Sequence, residues 1–182
     1  MDWTVEQYHQ MIDVGVLTED HKVELLAGKI IEMNPVGRLH AACITTLLEY
    51  FFPRLNQEYT LRFENPVTLG DNSEPEPDFV VGIKSNNNYL EAHPKVEDIV
   101  VLCEVSDHTL KRDLEIKKGL YAEAGIPEYW IINLFEKELI QFTEPISAEA
   151  SYKQQKKYGM SDTFEHPVIG TVEVAMLIPK QS

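Results

Sequence analysis

Two acids stand where charge is costly, and a lysine follows them on a helix. Asp78 follows Pro75-Glu76-Pro77 and opens the apolar run Phe79-Val80-Val81. Glu104 interrupts Ile99-Val100-Val101-Leu102-Cys103, with Val105 and Ser106 after it. Lys117 comes next, on a stretch with helical character. A carboxylate on an apolar strand needs a partner or a task. In an open α/β sheet neighbouring strand ends converge, so Asp78 and Glu104 are expected to meet. Two such acids resist joint ionisation unless a cation lies between them. Mg²⁺ suits the place, as a hard ion that takes oxygen ligands, and the Val105 carbonyl offers a further oxygen. Lys117 would then orient a water, lower its pKa, or stabilise charge on a phosphate. As a general base it would need a depressed pKa.

Each residue also has a plainer reading. Asp78 after a proline suits a turn. Lys117 suits an i, i+4 pair with Asp113 on the helix surface. Glu24, between Val23 and Leu25, suits an exposed hairpin position, and His40 suits packing or capping. Asp113, Lys117 and Tyr121 are spaced to share one helical face. Together, rather than singly, these residues point to a metal site.

The elements that must hold these residues follow from pattern. Thr4-Val5-Glu6-Gln7 reads as a capping box opening a helix to about residue 14, stopped at Gly15. Residues 22–27 and 29–33 read as strands around Ala27-Gly28. Leu39, Cys43, Leu47, Tyr50 and Phe51 give one apolar face to a helix over 37–58, kinked or shortened by Pro53. Strands are expected at 59–63, 67–69 and 79–81, with an exposed loop over 84–98. The unbroken apolar run 99–105 marks a central strand covered on both faces. A second long helix, capped by Thr109 or Asp107, should end near Gly125. Strands follow at 129–134, 139–142, 152–158 and 171–175, the lysines of 152–158 on a solvated face. The simplest packing is α/β: a central mixed sheet flanked by helices, as a single domain over residues 1–182.

Composition narrows the function. The 182 residues are 43% hydrophobic and carry a net charge of −14. That balance disfavours a long non-specific grip on DNA and fits a carboxylate-rich metal site. No apolar run approaches the roughly 20 residues of a membrane span. Met1-Asp2-Trp3-Thr4 lacks a signal peptide's basic and apolar regions, which points to the cytoplasm. Cys43 and Cys103, both in apolar patterns, are expected as buried reduced thiols.

Taken in order, these pieces resemble a known family. They are Val23-Glu24-Leu25-Leu26-Ala27-Gly28-Lys29-Ile30, Pro35 with His40, Pro75-Glu76-Pro77-Asp78, Cys103-Glu104-Val105-Ser106, Asp113 with Lys117 and Tyr121, and Ala124-Gly125-Ile126-Pro127-Glu128-Tyr129-Trp130-Ile131-Ile132-Asn133. The set is similar to the PD-(D/E)XK nuclease superfamily, and within it to the bacterial restriction endonuclease-like family named from such sequences. The resemblance implies a restriction-endonuclease-like fold and Mg²⁺-dependent hydrolysis of DNA, with Mn²⁺ as substitute. It assigns Asp78 and Glu104 to the metal and Glu24 to an additional acid. The superfamily lysine belongs two residues after the second acid, where this chain has Ser106. Lys117 on the helix is its expected replacement. Lys118, rotated about 100° on a regular helix, is the near alternative. Asn133 stands where the family often has aspartate. Cutting a duplex needs two sites, so a homodimer is in view. A non-catalytic binding or assembly module, or a hydrolase of smaller phosphoesters, would fit the same fold.

Overall fold

The computed structural model describes residues 2–18, 20–107 and 109–180. Met1, part of the N-terminal stretch weighed above, lies outside them. Helix α1 (Val5–Asp13) opens on the expected capping box. Thr4 accepts from the Gln7 N–H, and the Gln7 side chain accepts from the Thr4 N–H. Strands β1 (Val23–Leu26) and β2 (Lys29–Glu32) form an antiparallel hairpin. Its two-residue turn, Ala27-Gly28, has positive φ at both positions (47° and 77°), the twist that suits a tight hairpin. Helix α2 (Arg38–Phe51) is shorter than its apolar pattern suggests, because Pro53 follows within two residues of its end.

The central sheet has six strands in the order β3 (Tyr59–Phe63), β4 (Phe79–Ile83), β5 (Ile99–Ser106), β6 (Glu128–Asn133), β7 (Glu138–Ile146) and β8 (Ser151–Gly159). Within this sheet, among the described residues, β5 and β6 pair in parallel and the other neighbouring strands pair antiparallel. The sheet is therefore mixed and flanked by helices, as the sequence leads one to expect. A small hairpin of β9 (Thr163–His166) and β10 (Gly170–Glu173) lies outside it. Residues 67–69 do not join the sheet. Val67 and Leu69 donate to Pro75 and Ser73 across a folded-back loop, and Thr68 makes one isolated bridge to Lys95.

Strand alternation sorts β5 between two cores. Val101, Cys103 and Val105 pack with Cys43, Leu47 and Phe51 of α2, with Phe79 and Trp130 beside them. Leu102 packs on the other face with Val80, Tyr121, Tyr129 and Ile131. Glu104 has the parity of Leu102. It points into this second, apolar side of the sheet, where a helix must answer its charge. Cys43 and Cys103 are buried free thiols. Burial pushes the Cys43 thiol up to about 12 and raises Cys103 as well, so both stay protonated and inert.

The answering helix is irregular. It runs as α3 (Leu110–Arg112), a π-helical turn (Asp113–Lys117) and α4 (Lys118–Ala124). Thr109 occupies the N-cap position, but its hydroxyl donates to Asp113 Oδ2 at 2.7 Å instead of capping the helix. Gly125 ends α4 at φ 88°, a left-handed position that glycine adopts freely.

Candidate active site

Lys117 lies at the centre of the site. Its ammonium donates to Glu104 Oε1 at 2.9 Å and stands 3.3 Å from Glu24 Oε2. All three side chains are at least 96% buried. Arg112 pairs with the other oxygen of Glu24, Oε1, and the Glu76 N–H donates to Glu24 Oε2 at 3.2 Å. The Tyr121 hydroxyl donates to Glu104 Oε1 at 2.6 Å. Two buried carboxylates thus face two cations.

The π turn makes this arrangement reachable. On a regular helix Arg112 and Lys117 would lie about 140° apart, five steps of 100°. A π turn repeats at i, i+5, which brings both cations to Glu24. The expected common face of Asp113, Lys117 and Tyr121 is realised only in part. Lys117 and Tyr121 share Glu104 Oε1, whereas Asp113 turns to Thr109. Lys118 points elsewhere, its ammonium 5.6 Å from the centre of the Phe142 ring.

Asp78 sits at the mouth of β4 and is pinned from two sides. Its Oδ2 accepts the Val105 N–H at 2.6 Å, and its Oδ1 lies 3.0 Å from His40 Nε2. The first contact fastens Asp78 to the end of β5 that carries Glu104. His40 comes from the first turn of α2, and Glu64 completes a group with Asp78 and His40. Their ligand atoms all lie within 4.8 Å of one another.

Charge follows from these contacts. Burial pulls the Lys117 ammonium down and is the largest single effect. The charges of Glu104, Glu24 and Asp78 together outweigh it and hold its pKa above the usual lysine range. Lys117 is therefore a cation, not a neutral amine. The hydrogen bond to Asp78 raises His40, against the pull of burial. Burial, and then the charge of Glu24, raise Glu76. Burial raises Asp113, opposed by the Thr109 hydroxyl.

Glu24 is fully buried, so its reading as an exposed hairpin residue does not hold. Arg112 escaped the sequence reading, because a regular helix puts it on another face from Lys117. The five-residue spacing was its one signal. Glu64 escaped too, since nothing around Asn65-Pro66 marks a ligand.

The chain matches the Uma2 family, described as "Putative restriction endonuclease", over residues 5–176, and so belongs to it. Its fold is shared with the crystal structure of a protein from Anabaena variabilis ATCC 29413, described as "a putative nuclease belonging to DUF820". The TM-score is 0.64 at 15% identity, over 96% of each chain. Among curated proteins no match was found. Family and fold are nuclease-like. No helix among the described residues is long and apolar enough to cross a membrane.

Proposed function

We propose that the chain is a divalent-metal-dependent endonuclease that hydrolyses DNA phosphodiester bonds, acting as a single cytoplasmic domain. The observation that supports this most is the approach of Glu24, Glu104 and Lys117 inside the protein, with Asp78 tied to the same strand end. A fold stabilised by apolar packing has no need of two glutamates and two cations at one buried point. Such arrangements are commoner at reactive sites.

Asp78 and Glu104 would hold Mg²⁺, or Mn²⁺ in its place, with the Val105 carbonyl as a further oxygen. Both hydrogen bonds to Glu104 fall on Oε1, and Oε2 is the atom we assign to the cation. His40 and Glu64 bring ligand atoms within 4.8 Å of Asp78. A set of this kind, mostly oxygen donors, fits a hard cation. When bound, the ion supplies charge neutralisation at the scissile phosphate and a lowered pKa for the attacking water. The protein does the rest. Lys117, charged and fixed, stabilises negative charge developing on the phosphate. Glu24 acts through Lys117 and Arg112, holding both in place. Tyr121 fixes the orientation of Glu104.

The locked state of Lys117 also favours a second reading, a non-catalytic binding module in which the cluster only shapes the core. Plasmid nicking with Mg²⁺ or Mn²⁺ separates the two. Wild type should nick, and Asp78→Ala and Lys117→Ala should each lose about 100-fold or more in rate. Equal residual nicking by all three proteins would contradict the endonuclease reading.

A further inference from the structure

A second set of ligand atoms lies outside the site just described. His9 comes from α1, Glu74 precedes the Pro75-Glu76-Pro77-Asp78 stretch, and His93 lies in the loop between β4 and β5. One ligand atom from each falls within 4.8 Å of the other two. We propose that His9, Glu74 and His93 bind a divalent transition metal, with Zn²⁺ the ion their donor set matches best.

The donor chemistry separates this trio from the carboxylate site. Two imidazole nitrogens and one carboxylate oxygen suit Zn²⁺ and its neighbours in the first row, whereas Mg²⁺ prefers oxygen alone. Glu74 is prepared for the role. It is buried, its Oε2 accepts the Thr68 hydroxyl at 2.9 Å, and its Oε1 lies 2.7 Å from His9 Nε2. A carboxylate held this way by an outer hydroxyl is a common support for a metal ligand. The His9 and His93 rings stand 6.4 Å apart, edge to face. That spacing lets a nitrogen of each approach one ion at about 2.0–2.1 Å with small side-chain shifts.

His93 supplies an independent observation. Its Nδ1 is buried and has no hydrogen-bond partner among the described residues, a costly state for a polar atom. The His9 side chain is 45% exposed, so a fourth position opens toward solvent and can take a water. An ion here would join α1 and the 84–98 loop to the Glu74 segment. That segment is itself bonded to β1, where the Glu74 N–H donates to Leu25 at 2.7 Å.

The test uses the full chain stripped with a chelator and titrated calorimetrically with Zn²⁺, in wild type and in Asp78→Ala. Both should bind one tight equivalent, and Zn²⁺ should raise the thermal midpoint of each. Glu74→Gln, which keeps the shape of the side chain, and His93→Ala should each weaken that equivalent more than tenfold. Circular dichroism of the metal-free variants shows whether they are folded, and Co²⁺ in place of Zn²⁺ should give a visible absorption band in wild type that His93→Ala lacks. Absence of tight Zn²⁺ binding by wild type overturns the proposal. So does an equivalent that vanishes with Asp78→Ala, or one that His93→Ala leaves unchanged, since an ion pair between His9 and Glu74 alone needs no His93.

Discussion

Glu24 and Glu104 place two carboxyl groups around one ammonium, and Arg112 supplies a second cation. The balance is local and dry, so removing one member leaves the others uncompensated. Lys117→Met should destabilise the fold by about 3–5 kcal/mol, the usual result of breaking a buried pair from one side. Adding Glu104→Gln to Lys117→Met removes the carboxylate that the lost ammonium neutralised, and should restore part of the loss. Urea denaturation of both singles and the double variant gives the coupling, expected at about 0.5–3 kcal/mol. Strict additivity would mean that the 2.9 Å contact carries no energy of its own. Lys117 is charged, which sets its chemistry: it can neutralise a phosphate but cannot accept a proton from water.

Among the elements, β6 shows how the sheet is fastened beyond the site. Glu128 accepts from Trp130 Nε1 at 2.5 Å and from Gln141 Nε2 at 2.6 Å, and lies 3.3 Å from His166 Nε2. It thus joins β6, β7 and the outer hairpin. Burial pushes its carboxyl up, but the hydrogen bonds from His166, Gln141 and Trp130 outweigh it and leave the pKa below the usual glutamate value. A depressed carboxylate stabilises the fold above its unfolded pKa and stops doing so as pH falls through the folded value. Thermal melts should therefore show wild type more stable than Glu128→Gln at neutral pH. The gap should narrow as pH drops below 4.5; a gap that widens on acidification would contradict the assignment.

Other elements show what could be read beforehand. The run Ile99 to Val105 announced a central strand because both faces of β5 are covered. Thr4 and Gln7 announced their capping box because its logic is local. Glu24 could not be read as buried, since its partners lie far along the chain and a four-residue strand carries too little pattern. The π turn was hidden because periodic reading assumes 3.6 residues per turn, and Arg112 was hidden with it. Strand β7 was read to residue 142 but continues to Ile146 through Pro145. The proline is tolerated there because β6 pairs no further than Thr143, so no strand on that side needs its missing N–H.

At the scale of the whole molecule, a net charge of −14 must be reconciled with a polyanionic substrate. The acids are not evenly costly. Glu24 and Glu104 are buried against cations, and in the proposed reading Asp78 and Glu104 are offset by a divalent ion. What remains is a surface with little general attraction for DNA, so productive encounters should depend on the metal more than on a broad basic face. The fold brings Glu24 from a hairpin, Asp78 and Glu104 from two sheet strands, and Lys117 from a π turn. Four distant stretches of chain thereby meet in one region. The most direct measurement of the central claim is the single-turnover rate of plasmid nicking with Mg²⁺, for wild type and for Asp78→Asn. The asparagine can still accept the Val105 N–H, so the fold is kept while the negative charge is lost. The account predicts a fall of about 100-fold or more; an unchanged rate in a folded Asp78→Asn protein would contradict it.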